Sequence, residues 1–266
     1  MPEPARCRGI AAAAAAGVAL FAGTDAAGYG PEGHLAAGRA AAPLLCEPAA
    51  DAVAHLGGGS DLGELGLWAD RIRSDPDYAA AGAWHYINVA DDETLAAIDP
   101  GPEGDVLWAV DEFGRRLADT SLDDEARGVA LKFLIHFIVD LHQPLHVGLA
   151  ADRGGNTIAL EFRGEATNLH RFWDSHVIEW TGESIDAYTD DLRRRAQAIG
   201  SGVDLDPLIW AGESLALRSR VYAFGQTGRE PGRDYLEYSA RLTRQRLTLA
   251  TVRLAGTLNT IFCTDR

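Results

Sequence analysis

A long apolar stretch at residues 131–147 contains only a few polar side chains. Apolar residues surround His136 and Asp140 on nearly all sides, which predicts a buried helix that carries both of them. The two stand four residues apart and therefore share one helix face. A buried carboxylate needs a partner, and the same step recurs at His170 and Asp174 in a second apolar segment. Two such faces predict a metal site, although a single pair of this kind more often belongs to an ordinary core.

Helical periodicity dominates the rest of the chain. Proline, glycine and polar stops divide it into predicted helices over residues 34–45, 49–56, 61–73, 123–143, 169–181, 185–199, 208–222 and 235–262. The residues around the Gly-Gly pair at 154–155 predict a tight turn that leads into a short strand at 157–162, a β-hairpin-like element. Because the sequence shows no internal repeat and no interior linker, it predicts a single domain that is nearly all-α.

The first residues have the features of a secretory signal peptide. Two arginines precede an apolar, alanine-rich stretch at residues 10–22, and Ala26 and Gly28 supply small residues before a cut. We therefore expect a signal peptide at residues 1–28 and one domain at residues 29–266. No later segment is long and apolar enough for a transmembrane span. The expected protein is exported, periplasmic or secreted, without stable membrane association or an obligate protein partner.

Cysteine content and charge narrow the possible classes further. Outside the signal peptide only Cys46 and Cys263 remain, and in an oxidising compartment they could form a disulfide, with two buried thiols as the alternative. The formal net charge of −15 argues against a protein that grips duplex nucleic acid through a broad basic face. Bound divalent ions would concentrate positive charge in one cleft, so an anionic substrate remains compatible with this acidic chain.

Six short motifs occur in an order and spacing that resemble one enzyme family. They are YGPEGH, which begins at Tyr29, followed by WADRIR, WHYIN, HFIVDLHQPLH, DRGGN and NLHRFWD. Together they resemble the zinc-dependent, single-strand-specific nucleases, also called type I nucleases and 3'-nucleotidases, and the similarity extends over residues 29–262. The resemblance implies an α-helical fold, shared with zinc-dependent phospholipase C, and three zinc ions at the base of a cleft.

The resemblance also implies which residues hold the zinc ions. Family members usually begin with Trp where this chain has Tyr29, but only backbone atoms of that residue ligate, so the coordination is expected to be unchanged. His142 is expected to orient a ligand rather than to bind zinc. The implied ligands are Asp70, His85, His136 and Asp140 for one ion, Tyr29, His34 and Asp140 for its neighbour, and His146, His170 and Asp174 for the third.

Other residues are implied to act on the substrate. Arg73 occupies the position of a cation that faces the phosphate, so Arg73 and Asp140 are the catalytic candidates, with a solvated helix arginine as the alternative for Arg73. Tyr86 and Asn88 occupy the positions that bind the base, by stacking and through the side-chain amide, and a core position is the alternative for Tyr86. Asn156 is a further expected contact to the substrate.

The resemblance therefore implies a hydrolase that cleaves single-stranded DNA and RNA to 5'-nucleotides and removes the 3'-phosphate from nucleotides. Two other functions stay open: a phospholipase C-type phosphodiesterase acting on phospholipid, and a periplasmic zinc-binding protein without catalysis. The WHYIN motif, and Asp174 where the phospholipases usually have Glu, favour the nuclease. Arg73 and an incomplete ligand shell at the third zinc argue against a purely structural site.

Overall fold

Helices make up most of the part of the chain that the computed structural model describes, residues 29–263. The α-helices are α1 (Pro31–Ala41), α2 (Glu47–Leu56), α3 (Leu62–Gly66), α4 (Trp68–Arg71), α5 (Val106–Ala118), α6 (Asp124–Asp140), α7 (Leu169–Arg171), α8 (Val177–Thr181), α9 (Ile185–Ile199), α10 (Pro207–Val221) and α11 (Arg233–Phe262). The predicted single, mainly helical domain is confirmed. Among these helices, none is both long and apolar enough to cross a membrane. The predicted signal peptide lies outside the described residues.

Helix α6 lies at the centre of the fold. Its first turn is capped by Asp123, whose side chain accepts a hydrogen bond from the N–H of Ala126 at 2.8 Å. Residues 133–140 are all buried, as the apolar pattern predicts. The helix ends at Asp140, three residues before the predicted end, and a 3-10 turn begins at Pro144, which cannot continue an α-helix. The buried candidate ligands of α6 therefore lie in its last two turns.

The prediction omitted helix α5. Its apolar residues Val106, Val110, Phe113 and Leu117 are spaced for one helix face and are all buried, and the side chain of Asp105 caps the first turn. Phe113 stacks on a phenylalanine of α6 with the ring centroids 4.5 Å apart. Burial of this face against α6 explains why the helix forms in spite of the glycine within it.

Two predicted helices differ from the prediction in detail. The helix expected over 61–73 is divided into α3 and α4, which meet at Leu67. The helix expected over 169–181 is a continuous helical segment in which α7 and α8 are joined by one π-helical turn at Phe172–His176. Such turns occur often at functional sites, and this one carries Asp174. The carbonyl oxygen of Asp174 accepts a hydrogen bond from the N–H of Gly30 at 2.8 Å, which joins the turn to the start of the described chain.

Two small pairs of strands complete the fold. The predicted hairpin is present as β3 (Ala159–Phe162) and β4 (Glu165–Asn168), which pair antiparallel, while β1 (Ile87–Asn88) and β2 (Val147–Gly148) form an unpredicted parallel pair. Arg218 of α10 donates to the carbonyl oxygen of Val89 at 2.5 Å, immediately after β1. The parallel pair places the segment after His85 beside the segment after His146.

A disulfide joins Cys46, just before α2, to Cys263, just after α11. The predicted disulfide is therefore confirmed. Asn259 strengthens this junction, because its Oδ1 accepts from the N–H of Cys46 at 2.9 Å and its Nδ2 donates to the carbonyl oxygen of Leu44 at 3.0 Å. Together these contacts anchor the end of the last helix to the first helices.

Replacing both cysteines with serine is expected to lower the free energy of unfolding by about 2 kcal/mol. The disulfide links residues 217 positions apart and so restricts the unfolded chain, while the hydrogen bonds of Asn259 do not involve the sulfur atoms and can form in both proteins. Chemical denaturation of the variant and the oxidised wild type measures the difference. Equal unfolding free energies would show that the bond adds nothing to the stability of the fold.

Candidate metal centre and substrate cleft

Three segments bring the first group of candidate ligands together. Helix α4 carries Asp70, a helical turn ends at His85, and α6 carries His136 and Asp140. Nε2 of His136 lies 3.1 Å from Oδ2 of Asp140, and Nδ1 of His85 lies 2.9 Å from the same oxygen. Asp70, His85 and His136 can each place a ligand atom within 4.8 Å of the others. The four implied ligands of one ion are thus adjacent.

His34 approaches the other oxygen of Asp140. Helix α1 places Nε2 of His34 at 3.2 Å from Oδ1 of Asp140, and the His34 ring stacks on that of His136 with centroids 4.0 Å apart. These three residues form a second group that could hold an ion. Tyr29 is fully buried nearby, and its phenol hydroxyl donates to the carbonyl oxygen of His142 at 3.3 Å. Oδ1 of Asp140 therefore faces His34, whereas Oδ2 faces His85 and His136.

The third group lies on the segment after α6 and on the helical segment with the π turn. Nε2 of His170 lies 3.2 Å from Oδ2 of Asp174, and Nε2 of His146 lies 3.9 Å from Oδ1 of the same carboxylate. All three side chains are buried. The π turn matters here, because Asp174 lies within it and its side-chain direction depends on that local widening of the helix.

The sequence prediction omitted Gln143, which orients one of these ligands. Its Nε2 donates to Oδ1 of Asp174 at 2.6 Å, and its Oε1 accepts from the N–H of Leu145 at 2.6 Å. A ligating carboxylate that is held in this way keeps its orientation toward a metal. The residue stands within the HFIVDLHQPLH motif, but its role depends on a partner 31 positions further along the chain.

Backbone carbonyl groups orient three of the candidate histidine ligands through Nδ1. The partners are the carbonyl oxygen of Gly66 for His136 at 2.6 Å, that of His85 for His146 at 2.5 Å and that of Gly154 for His170 at 2.7 Å. In a neutral imidazole, donation from Nδ1 leaves Nε2 as the nitrogen with a free lone pair, the form in which imidazole binds a metal.

Several of the buried ligand atoms have no hydrogen-bond partner within residues 29–263. They are Oδ1 of Asp140, both ring nitrogens of His34, and Nε2 of His85, His146 and His170; the carboxylate contacts at 3.2 Å of His34 and His170 lack hydrogen-bond geometry. Buried polar atoms without partners are costly, so such a cluster indicates a missing ligand. Imidazole nitrogen and carboxylate oxygen are the atoms that zinc prefers, together with cysteine sulfur. The residues present therefore fit the zinc that the resemblance implies.

The electrostatics of the centre also suit a metal. Burial lowers the pKa of His85 to about 4 and that of His170 to about 3, which favours neutral imidazoles. Burial likewise acts to lower the pKa of His136, but the carboxylates of Asp140 and Asp70 outweigh burial and raise it to about 9. Protonated His136 thus supplies positive charge next to these carboxylates. A metal cation bound at this position would supply that charge in place of the proton.

A cavity of about 370 Å³ opens beside the third group of ligands, since His170 forms part of its wall. Arg73, Tyr86 and Asn88 line the same cavity. The side chain of Tyr86 is 38% exposed, so the alternative that places it in the core is wrong. Nη1 of Arg73 lies 3.4 Å from Oδ1 of Asp70 and the side chain is largely enclosed, so Arg73 is not a solvated helix arginine. Its guanidinium borders both the metal centre and the cavity.

The turn formed by the DRGGN motif contributes Arg153 and Asn156 to this cavity. Nδ2 of Asn156 donates to the carbonyl oxygen of Arg153 at 2.8 Å, so part of this amide stabilises the turn itself. Asp152 fixes the turn by accepting hydrogen bonds from the N–H of Gly155 at 2.8 Å and from the hydroxyl of Tyr222 at 2.7 Å. The sequence prediction named Asn156 but omitted Arg153 and Asp152, although both belong to the motif.

The prediction that His142 orients a metal ligand is wrong, because the contacts of its ring are to Ile138 and Arg253 rather than to a candidate ligand. Nδ1 lies 2.7 Å from the carbonyl oxygen of Ile138, and Nε2 lies 3.0 Å from Nη1 of Arg253. Arg253 and Arg246 both pair with Glu213, so the His142 ring belongs to a buried charged network between the end of α6, α10 and α11. A histidine two residues after a ligand can thus point away from the metal.

Comparison with known proteins identifies the family. The family model described as S1/P1 nuclease matches residues 29–263. Endonuclease 2 of Arabidopsis thaliana is 33% identical over 91% of this chain and 93% of its own length, and Endonuclease 3 of the same plant is 30% identical over 90% of each chain. Nuclease P1 of Penicillium citrinum is 35% identical over 44% of this chain and 45% of its own length. The protein therefore belongs to the S1/P1 nuclease family.

Proposed function

We propose that this protein is an exported, zinc-dependent phosphodiesterase that cleaves single-stranded DNA and RNA to 5'-nucleotides and removes the 3'-phosphate from nucleotides. One observation carries the proposal: of three groups of candidate metal ligands, one contributes His170 to the wall of a cavity that is also lined by arginine and by an exposed aromatic ring. Membership in the S1/P1 nuclease family, and full-length relatives named endonucleases, support hydrolysis of phosphodiester bonds in nucleic acid.

The proposed cofactor is zinc, with three ions per chain, in a family of zinc enzymes. Bound zinc supplies a nucleophile that is available near neutral pH and neutralises charge on the phosphoryl oxygens. The proposed ligands are Asp70, His85, His136 and Asp140 for the first ion, His34, Asp140 and the backbone amino and carbonyl groups of Tyr29 for the second, and His146, His170 and Asp174 for the third.

Arg73 binds the phosphate in this proposal. Its planar guanidinium presents several N–H donors, an arrangement that suits phosphoryl oxygens. Oδ1 of Asp70 lies 3.4 Å from Nη1 of Arg73 and fixes that end of the guanidinium. Arg73 also lines the cavity. A cation fixed before the reaction stabilises charge as it develops, without the cost of reorganising water. Arg73 is therefore the catalytic side chain of the cleft that is not a metal ligand.

Tyr86 and Asn88 recognise the base. The half-exposed ring of Tyr86 offers a stacking surface that accepts any base and contributes about 1–3 kcal/mol per stacked base. The Asn88 amide lies in the same cavity wall and can both donate to and accept from a base edge. Stacking on a side chain requires a base that is not stacked within a duplex. Single strands and mononucleotides are therefore the preferred substrates, and Asn156 provides a further polar contact.

The cleft argues against a zinc-storage protein. His170 is both a candidate ligand and part of the cavity wall, so the third metal position borders the space where a substrate would bind. A storage or structural site closes its shell with protein ligands. An aromatic ring and two side-chain amides along the same wall indicate recognition of a base rather than of a lipid headgroup.

The second zinc position depends on removal of residues 1–28, because only a free amino group at Tyr29 can ligate. Tyr29 is fully buried and the N–H of Gly30 donates to the carbonyl oxygen of Asp174, so the segment that carries the amino group is held in place. A residue added before Tyr29 converts that amino group into an amide nitrogen, which has no lone pair available for a metal. Adding one serine before Tyr29 of the mature protein is expected to reduce phosphodiesterase activity at least tenfold and to remove about one zinc ion per chain.

Elemental analysis, steady-state kinetics and far-UV circular dichroism measure these effects in the same preparation. The control is a serine added after Arg266, which should change neither zinc content nor activity. Full zinc content and full activity in the N-terminally extended protein would exclude Tyr29 as a ligand and remove the need for cleavage after Gly28.

The function itself is tested on the mature protein with four substrates: single-stranded DNA, RNA, 3'-AMP and phosphatidylcholine. We expect hydrolysis of the first three, with 5'-nucleotides as the products from DNA and RNA, and adenosine and inorganic phosphate as the products from 3'-AMP. A chelator should abolish the activity, and added zinc should restore it. Hydrolysis of phosphatidylcholine alone would replace the nuclease with a phospholipase. A protein that binds zinc but hydrolyses none of the four would be a zinc-binding protein without catalysis.

A further inference from the structure

The cavity beside the metal centre is lined by two cations rather than one. Arg153 forms part of its wall together with Arg73, while no carboxylate of residues 29–263 lies in that wall. Such a concentration of positive charge is unusual in a chain whose formal net charge is −15. Arg73 accounts for one phosphate, which leaves the charge of Arg153 without a role in the proposed reaction.

The structure holds Arg153 in place through its backbone. The residue has a left-handed conformation with φ of 57°, which is uncommon for a residue with a side chain. Its N–H donates to the carbonyl oxygen of Ala150 at 3.1 Å, and its own carbonyl oxygen accepts from Nδ2 of Asn156 at 2.8 Å. The next residue, Gly154, orients the His170 ring at 2.7 Å. The turn thus fixes Arg153 relative to the third group of ligands.

The side chain of Arg153 is available to a ligand. It is exposed to solvent, and within the described part of the chain it makes no salt bridge with a carboxylate. Arg163 provides a useful contrast, because it has nearly the same backbone conformation, with φ of 54°, but lies in the β3–β4 turn and donates to the carbonyl oxygen of Glu179. Arg163 is absent from the cavity wall.

We propose that Arg153 binds a second phosphate of the substrate, one nucleotide away from the phosphate at Arg73. This inference rests on the proposed function and deepens it, because it assigns a substrate class. A 3'-mononucleotide has a single phosphate and cannot occupy both cations, whereas a single-stranded polynucleotide has one phosphate per nucleotide. Arg153 is therefore a specificity residue that favours polynucleotides over mononucleotides. Guanidinium groups suit this task because their paired N–H donors match phosphate oxygens.

The test compares Arg153→Asn with the matched control Arg163→Asn. Asparagine tolerates the left-handed conformation, so each variant removes one positive charge with little change in the turn. The substrates are 3'-AMP, the dinucleoside monophosphate dApdA and a deoxyadenosine hexamer. We expect Arg153→Asn to lower kcat/KM on the hexamer roughly tenfold, and to lower it at least fivefold more on the hexamer than on the two substrates with a single phosphate. Arg163→Asn should leave all three values unchanged.

Salt dependence gives a readout that a merely structural effect would not change. Removing one phosphate contact should reduce the slope of log kcat/KM against log salt for the hexamer by about 0.7 in Arg153→Asn. Arg153→Lys should retain most of that slope, because it retains the charge. Zinc content, measured by elemental analysis, should match the wild type, which excludes an indirect effect through Gly154 and His170.

Two results would overturn the inference: equal losses on all three substrates, which would place Arg153 at the same phosphate as Arg73, or no loss on the hexamer. A wild-type protein that hydrolyses none of the substrates would instead refute the proposed function. The activity of the wild type therefore separates the two failures: an active wild type supports the proposed function whatever the Arg153 variants show.

Discussion

Asp140→Asn is expected to remove about two zinc ions per chain and to lower activity at least about a thousandfold, while the helical fold is retained. The two carboxylate oxygens of Asp140 face different histidines, with Oδ1 3.2 Å from Nε2 of His34 and Oδ2 2.9 Å from Nδ1 of His85. Asparagine has nearly the same shape, but it carries no charge and only one oxygen, so it cannot serve two cations. Loss of both ions removes the nucleophile and much of the charge neutralisation.

Two other variants calibrate this result. Asp124→Asn makes the same chemical change on the same helix, but Asp124 pairs with His55 at the surface, so zinc content and activity should not change. His170→Asn alters one ligand of one group and should remove fewer ions than Asp140→Asn. The measurement is elemental analysis of zinc-replete protein together with kinetics on single-stranded DNA. Equal zinc loss in Asp140→Asn and His170→Asn would contradict a bridging role for Asp140.

The central features of the fold could be predicted because they are local in the sequence. The buried face of α6 follows from residues a few positions apart, and the four-residue step between His136 and Asp140 fixes their common direction. The same reasoning places His170 and Asp174 together, at 3.2 Å. That the two faces belong to adjacent groups could not be predicted from periodicity, because it depends on how distant helices pack.

Features that depend on distant partners were missed. Gln143 acquires a role only by meeting Asp174, and the parallel pairing of β1 with β2 involves two residues in each strand, too few for a periodic pattern. Helix α5 is different, since its capping aspartate and its apolar spacing were present in the sequence. His142 shows the opposite error, because its place within the HFIVDLHQPLH motif suggested a role that the direction of its ring in the fold excludes.

The charge of the cleft illustrates a similar limit. The net charge of −15 argues against a broad basic surface, but it does not describe how charge is distributed. Many arginines of this chain are neutralised on the surface, as Arg71 is by Glu64 at 3.1 Å. Arg73 and Arg153 instead line one cavity, and only the folded chain shows that these two belong together.

Arg73→Ala and Tyr86→Ala are expected to differ in kinetic signature although both side chains line the same cavity. Arg73 faces the charge that grows on the phosphate, so its loss should lower kcat roughly a hundredfold or more, as when one preorganised charge-stabilising donor is removed. Tyr86 stacks on the base in the ground state and the transition state alike, so its loss should mainly raise KM. Neither residue is a proposed ligand, and both variants should retain zinc.

Matched variants separate these effects from general ones. Arg71→Ala removes a neighbouring arginine that pairs with Glu64 at the surface, and it should leave kcat unchanged. Tyr86→Phe keeps the ring and should keep the wild-type KM if stacking is what the residue contributes. Steady-state kinetics on a short single-stranded oligonucleotide decides both points. An unchanged kcat in Arg73→Ala would remove Arg73 from the catalytic residues, because a cation that meets developing charge cannot be lost without slowing the reaction. An unchanged KM in Tyr86→Ala would assign base recognition to Asn88 and Asn156, the amides of the same wall.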